Sequence, residues 1–217
     1  ASNGAPSLAS SLHHLNPMED NPYQAAIRSV ASVLLPYDTD QEVPVFGFGG
    51  ILRGGGTSRV SHCFPLTFDE AHPEVTGVDG IMTVYNEALT RVGLCGPTIF
   101  SQVIQRAIQN ASRFVSQESQ RWTVLLIITD GVINDMDTTV SQIVHASQLP
   151  LSIVIVGVGS ADFAQMEQLD ADDGPLTDGA GRRAERDIVQ FVPFKKYEGC
   201  PDQLARETLA EIPGQLL

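Results

Sequence analysis

The sequence lacks any apolar run long enough to span a membrane, and it has few basic side chains. Of its 217 residues, 13 are Lys or Arg and 26 are Asp or Glu, which gives a formal net charge of −13. A transmembrane helix needs roughly 18 consecutive apolar residues, and no stretch approaches that length. Because so acidic a chain is repelled by phosphate backbones and anionic lipid heads, we expect no nucleic-acid binding and no direct membrane contact.

Cysteine is also scarce, and its spacing excludes two common roles. Cys63, Cys95 and Cys200 are far apart, with no Cys-x-x-Cys motif and no adjacent histidine. This pattern argues against a disulfide framework and against a zinc site, and it favours a reducing, intracellular location.

The usual sequence signatures of nucleotide and ester chemistry are missing. The chain has no Walker lysine motif and no Gly-x-Ser-x-Gly elbow. Gly157-Val158-Gly159-Ser160 follows an apolar run but lacks the third glycine of a dinucleotide fingerprint, since position 162 is Asp. A simple strand-to-helix turn is the better interpretation, and we expect a non-enzymatic protein.

The most informative stretch that is present runs from Thr123 to Gly131. Its apolar, β-branched residues do not alternate with polar ones, which predicts a strand buried on both faces of a parallel sheet. The run ends in Asp130 followed by glycine. Because open parallel sheets bind ligands beyond the carboxyl ends of their strands, Asp130 lies where such a protein keeps its site.

Strand and helix patterns alternate along the chain, which predicts one layered α/β domain spanning residues 1–217. Strands are expected at 43–48, 59–64, 123–129, 151–158 and 188–194. Helices are expected at 22–34, 77–92, 98–111, 137–147, 162–169 and 202–209. We see no internal repeat and no linker between domains.

Thr98 and Asp130 would lie on the same carboxyl edge of the predicted sheet. Taken separately, Thr98 reads as a helix N-cap and Asp130 as a turn-forming aspartate. Taken together, a hydroxyl and a carboxylate form part of an all-oxygen site of the kind that hard cations such as Mg²⁺ prefer. Asp135 is a candidate to support such a site, although a role at a helix start is the preferred interpretation.

Nearly the whole chain resembles the von Willebrand factor A domain of the copines. The most specific stretches are Leu169-Asp170-Ala171-Asp172-Asp173-Gly174 and Arg186-Asp187-Ile188-Val189-Gln190-Phe191-Val192-Pro193-Phe194. Further matching stretches are residues 1–4, 11–13, 46–49, 96–98, 129–132, 149–152, 156–159 and 162–163.

The resemblance implies a Rossmann-like A domain, with a mostly parallel central sheet, helices on both faces, and a metal-ion-dependent adhesion site. That site takes ligands from an Asp-x-Thr-x-Ser motif, a separate threonine and a later aspartate. By position, the resemblance assigns Ser2, Thr98 and Asp130 as metal ligands. The implied cofactor is a divalent cation, Mg²⁺ first, with Mn²⁺ and Ca²⁺ as alternatives.

The resemblance also implies a function and a setting. It suggests a cytoplasmic module that recruits intracellular proteins in signalling and membrane trafficking, with a partner carboxylate completing the metal site. Tandem C2 domains outside this chain would bring the full-length parent to membranes in a calcium-dependent way. Two alternatives stay open: a weak kinase-like phosphotransferase, and metal-independent scaffold binding through surface loops such as 170–183.

The Asp and Thr of the first motif would lie just before Ala1, so we expect the first strand of the A domain to be missing here. We predict that a chain extended upstream melts at a higher temperature and binds the cation more tightly than residues 1–217. The reason is that a central strand without its neighbour leaves backbone donors and acceptors unpaired, and one metal-binding carboxylate is lost. Thermal melting and metal titration of both chains test this, and equal values would contradict it.

Overall fold

The computed structural model describes residues 5–53, 59–114, 121–171 and 174–215. Contacts within the chain divide it into two compact units, Ala1–Thr98 and Ile99–Leu217.

Among its described residues, the first unit contains two α-helices and six short strands. The helices are α1 (Pro22–Leu34) and α2 (Gly77–Arg91), and they pack on each other. The strands are β1 (Glu42–Pro44), β2 (Phe46–Gly47), β3 (Gly50–Leu52), β4 (Phe64–Pro65), β5 (Glu74–Thr76) and β6 (Val92–Leu94). They form three antiparallel pairs, β1 with β5, β2 with β4 and β3 with β6.

Helix α1 begins as its sequence predicts. The Asn21 side chain accepts a hydrogen bond from the Gln24 backbone N–H at 2.9 Å, and the Gln24 side chain accepts from the Asn21 N–H at 2.8 Å. This reciprocal capping box satisfies two amides that the first helical turn leaves open, and Pro22 needs no such partner. The helix then buries Ala26 and Val30 completely.

The strand predictions for the first unit are wrong in detail. The predicted strand 43–48 is two strands, because the chain changes partner at Val45, whose N–H bonds to Pro73 and whose carbonyl accepts from Leu66. In the predicted strand 59–64, Ser61 forms an isolated bridge with Gly50, and β4 begins at Phe64. Strands β3, β5 and β6 were not expected, since three residues are too few to leave a readable alternation.

In the part that the structure describes, the second unit contains a parallel sheet of three strands, which confirms the α/β fold class. The strands are β7 (Thr123–Thr129), β8 (Leu151–Gly157) and β9 (Val189–Pro193), in the order β7-β8-β9. The register pairs Thr129 with Gly157 and Gly157 with Pro193, so the three carboxyl ends lie side by side.

One helix precedes this sheet in sequence, and helices follow each of its strands. They are α3 (Ser101–Ala111), α4 (Met136–Ala146), α5 (Ala164–Asp170), α6 (Phe194–Tyr197), α7 (Pro201–Leu209) and α8 (Ile212–Gln215). Helix α3 contacts β7 and β8, while α5 and α7 contact β9. Apolar side chains spaced three and four residues apart give α3 its buried face, as the sequence predicts.

The prediction that the Thr123–Thr129 strand is buried on both faces is wrong. Every residue of β8 is buried, but β7 is half-buried along most of its length and Val124 is 37% exposed. The reason is its position: among the described strands, β7 pairs with β8 alone and lies at the edge of the sheet.

Within the described ranges, no helix combines the length and the apolar character that crossing a membrane requires.

Candidate functional site

Asp130 lies directly beyond the carboxyl end of β7, as the sequence predicts. The last residue of that strand, Thr129, accepts a backbone hydrogen bond from Val158 at 2.8 Å, which fixes the strand end beside the end of β8. The side chain of Asp130 is half-buried and its Oδ2 atom is buried. A carboxylate is therefore held at the edge of the sheet where ligands of open α/β folds bind.

The loop that follows β7, residues 130–135, is anchored by its apolar centre. Ile133 is 2% exposed, and its backbone N–H donates to the side-chain oxygen Oε1 of Gln165 on α5 at 2.9 Å. Val132 points outward and is 53% exposed. The loop is thus fixed against α5 and presents one apolar side chain close in sequence to Asp130.

Asp135 joins this loop to the start of α3. Its Oδ1 atom accepts the N–H of Phe100 and its Oδ2 atom accepts the N–H of Ser101, both at 3.0 Å. The Thr139 hydroxyl also donates to Oδ1, at 3.2 Å, and the Thr139 N–H bonds to the Asp135 carbonyl. A negative side chain on the free amides of a helix N-terminus is favourable for both hydrogen bonding and the helix dipole.

The prediction that Thr98 begins a helix as its N-cap is wrong. Helix α3 begins at Ser101, and no side chain at its N-cap, Phe100, bonds to the helix. The physical reason is that the Asp135 carboxylate, from a distant part of the sequence, already holds the first amides of α3. Thr98 is half-buried and precedes the helix by three residues.

The three predicted metal ligands lie in different parts of the chain. Asp130 lies in the second unit and Thr98 is the last residue of the first. Ser2 lies outside the described residues. Their assignment as ligands therefore stays a prediction.

The chemistry of these residues fits a hard divalent cation. Thr98 offers a neutral hydroxyl and Asp130 offers a carboxylate, and such oxygen ligands suit Mg²⁺. In the part of the chain that the structure describes, no three His, Cys, Asp or Glu side chains are grouped to hold a metal ion. A cation at Asp130 would therefore depend on hydroxyl groups and water for most of its coordination.

The acidic loop considered as an alternative binding surface is well bonded where it is described. Asp178 is 6% exposed and its Oδ1 accepts the N–H groups of Ala180 and Arg182 at 3.0 and 2.9 Å. The Arg182 guanidinium donates to Asp178 Oδ2 at 2.7 Å and to the Ser141 hydroxyl on α4 at 3.2 Å. Residues 172 and 173 of this loop lie outside the described residues.

Sequence reasoning named Asp135 but missed its main contact. The helix-start role considered for Asp135 is confirmed, since Asp135 directly precedes α4. Its partners Phe100 and Ser101 lie more than 30 residues earlier in the chain, and no local pattern reports such a contact. Gln165 was missed for the same reason.

A parallel α/β sheet with flanking helices is the fold of von Willebrand factor A-like domains. A family model described as "Copine" matches residues 11–217. The chain therefore belongs to the copine family, as the resemblance indicated.

Similar proteins occur in Dictyostelium discoideum. The chain is 51% identical to Copine-C over 218 residues, 49% identical to Copine-B over 219 residues and 48% identical to Copine-A over 217 residues. Each match includes the whole of this chain but 40%, 40% and 36% of the respective relative. The chain thus spans about two fifths of the length of these relatives, whose names state no catalytic activity.

Proposed function

We propose that this chain is a non-enzymatic protein-interaction domain that binds its partners with the help of a divalent cation. Ser2, Thr98 and Asp130 are the proposed ligands, and Mg²⁺ is the first candidate ion, ahead of Mn²⁺ and Ca²⁺. The observation that carries the proposal is the placement of Asp130, half-buried beyond the carboxyl end of β7, in a chain of the copine family.

The charge balance of the proposed ligands explains how binding a partner would work. Asp130 supplies one negative charge, while Ser2 and Thr98 supply neutral hydroxyl groups. A divalent cation held by this set keeps a net positive charge and can accept a further carboxylate ligand. Because the chain itself carries a net charge of −13, a partner carboxylate would be repelled without the cation. An acidic partner residue would therefore bind only when the metal is present.

The remaining parts of this proposal concern the longer protein. We propose that it carries calcium-dependent phospholipid-binding C2 domains outside this chain, acts in the cytoplasm and brings intracellular proteins to membranes. Support comes from membership of the copine family and from relatives more than twice as long as this chain.

Replacing Asp130 with alanine should weaken binding of Mn²⁺ or Mg²⁺ at least tenfold, because it removes the charged ligand. Isothermal titration of the 217-residue chain measures this. The matched control is Asp137→Ala, which removes an exposed carboxylate from the first turn of α4 and should leave metal affinity unchanged. Unchanged affinity in Asp130→Ala would contradict the proposed site.

A second candidate function is partner binding without metal through surface loops such as 170–183. It is favoured by the bonds of Asp178 and Arg182, which hold an exposed loop in a defined shape. Under this alternative, Asp130→Ala and chelation would leave partner capture unchanged, whereas Asp178→Ala would reduce it.

A further inference from the structure

The chain has two lysines, and they are adjacent in sequence. Of its 13 Lys and Arg residues, the other 11 are arginines. Lys195 and Lys196 both lie on α6, which directly follows the strand β9, and both side chains are exposed. Chemistry that needs a lysine side-chain amine is therefore confined to this one place on the second unit.

The two ammonium groups have different contacts. Lys195 Nζ donates to the hydroxyl oxygen of Ser160, in the exposed segment after β8, at 3.1 Å. This contact does not require the charge, because a neutral amine can also share a hydrogen bond with a hydroxyl group. Lys196 Nζ instead lies over the ring of Tyr197, 5.2 Å from its centroid. That contact does require the charge, since the face of an aromatic ring attracts cations.

We propose that Lys195 is a site of acylation by a small acyl thioester, and that its neighbour Lys196 is protected from the same reaction. The Lys195 ammonium first gives one proton to water, and the resulting amine attacks the thioester carbonyl. A bond forms between Nζ and the acyl carbon, and the carbon–sulfur bond breaks. The thiolate that leaves takes up the proton that the nitrogen loses. This inference does not depend on the proposed function, because it involves none of the proposed metal ligands.

The contacts of each lysine decide how readily it reacts. The neutral amine is the nucleophile, so each lysine reacts only in the fraction of molecules in which it is deprotonated. A hydrogen bond with Tyr197 and attraction by the Glu207 carboxylate raise the pKa of Lys196 above its ordinary value. Acylation of Lys196 would also remove the cation from the ring. An acylated Lys195 keeps one N–H group, which can still donate to Ser160.

Acylation at this position would change the charge at one edge of the sheet. Ser160 follows the carboxyl end of β8 and Lys195 follows that of β9, so their hydrogen bond joins the segments after two neighbouring strands. An acetyl group would replace the Lys195 ammonium with a neutral amide and make a chain of formal net charge −13 more negative. The attraction of this edge for anionic groups would therefore decrease.

The test is acetylation of the folded 217-residue chain by acetyl-coenzyme A at about pH 8. Fragment-ion mass spectrometry of proteolytic peptides quantifies the two adjacent lysines separately. We expect Lys195 to be acetylated at least about threefold faster than Lys196. In concentrated urea, where the contacts with Ser160 and Tyr197 are lost, the two rates should become equal.

Variants assign the difference to the contacts. Tyr197→Phe keeps the buried ring and removes the hydroxyl group, so it should accelerate acetylation of Lys196 and leave that of Lys195 unchanged. Lys196→Arg is the matched control for Lys195→Arg. The first should keep most of the acetyl incorporation, and the second should remove most of it.

Three results would overturn the proposal. Equal rates in the folded chain, or a faster rate at Lys196, would show that Lys195 is not the preferred site. A preference of the same size in urea would show that it comes from the neighbouring sequence and not from the fold. Greater loss of incorporation in Lys196→Arg than in Lys195→Arg would reverse the assignment. If Tyr197→Phe does not fold, the comparison of the folded and unfolded wild-type chain decides.

Discussion

Replacing Arg186 with alanine should lower the free energy of unfolding of the second unit by about 3 kcal/mol. The Arg186 guanidinium donates to the backbone carbonyls of Leu149, Leu151 and Gln215, the last two at 3.2 and 3.1 Å. It also lies over the ring of Trp122, with its central carbon 4.9 Å from the ring centroid. One side chain thus connects the start of β8, the last helix α8 and the residue before β7.

The expected size follows from what the substitution leaves behind. Hydrogen bonds from a charged donor contribute about 1.5–3 kcal/mol each, and the contact with the tryptophan ring adds roughly 0.5–1 kcal/mol. The contributions of the three hydrogen bonds are not additive, because they share one half-buried guanidinium. We therefore expect a total loss of about 3 kcal/mol in the free energy of unfolding. Burial lowers the pKa of Arg186 from its ordinary value, because it removes water from the charged guanidinium. The hydrogen bonds to the three carbonyls offset this cost of desolvation.

Neighbouring polar groups depend on the same contact. The Trp122 ring N–H donates to the Ser152 hydroxyl at 3.0 Å, and that hydroxyl donates to the Gln215 side chain at 2.5 Å. Loss of Arg186 removes the bond to the Gln215 backbone and frees the ring of Trp122 on one face. We therefore expect α8 to separate from the sheet more easily.

The measurement is urea unfolding followed by fluorescence, since Trp122 is the single tryptophan of the chain, with circular dichroism as an independent probe. Arg186→Lys should recover part of the loss, because an ammonium group cannot serve three carbonyls and also cover a ring. The matched control is Arg183→Ala, whose side chain is exposed in the same loop and which should change stability by less than about 0.5 kcal/mol. Equal losses in the Arg186 and Arg183 variants would contradict the assigned role.

The contrast between Arg186 and β8 shows what sequence reasoning can and cannot reach. Strand β8 was predicted correctly because seven consecutive residues, Leu151–Gly157, carry their own burial signal. The start of α1 at Pro22 was also predicted from local residues, and the structure shows that its capping partners Asn21 and Gln24 are three residues apart. Arg186 matched a family stretch, but its acceptors lie 29 to 37 residues away and leave no local pattern.

The candidate site was predictable to a similar degree. The apolar run ending in Asp130 gave the strand, its carboxyl end and the position of the carboxylate. The start of α3 was not predictable, because the amides at Phe100 and Ser101 are held by Asp135 rather than by the neighbouring Thr98. Sequence therefore located the Asp130 carboxylate at the strand end but not the Asp135 hydrogen bonds that hold the segment after Thr98.

The second large effect is expected when the pH is lowered, and it involves His13 in the first unit. The His13 ring stacks on Tyr23 with centroids 4.0 Å apart, and its Nδ1 atom lies 2.9 Å from the Tyr85 hydroxyl. These contacts tie the segment before α1 to both helices of the unit. Burial lowers the pKa of His13 to about 4, from an ordinary value of 6.5.

The direction of the effect follows from proton linkage. In the unfolded chain His13 takes up a proton near pH 6.5, whereas in the folded chain it stays neutral down to about pH 4. The unfolded state therefore binds more protons in this interval, and stability falls as the pH is lowered from 6.5 towards 4. Between pH 7.5 and pH 5, this one group should remove about 2 kcal/mol of stability from the first unit.

The His13→Phe variant isolates this contribution, because phenylalanine keeps an aromatic ring for stacking on Tyr23 and does not titrate. Its stability should change less than that of the wild type between pH 7.5 and pH 5, by about 2 kcal/mol. Unfolding can be followed by near-ultraviolet circular dichroism of the tyrosines. Three of the four tyrosines lie in the first unit. The control His145→Gln removes an exposed histidine on α4. The stability of this variant should depend on pH as steeply as that of the wild type, because His13 is still present. The prediction is contradicted if the stability of His13→Phe still falls by about 2 kcal/mol between pH 7.5 and pH 5 while that of His145→Gln does not. The loss of stability at low pH would then not come from the buried His13 ring.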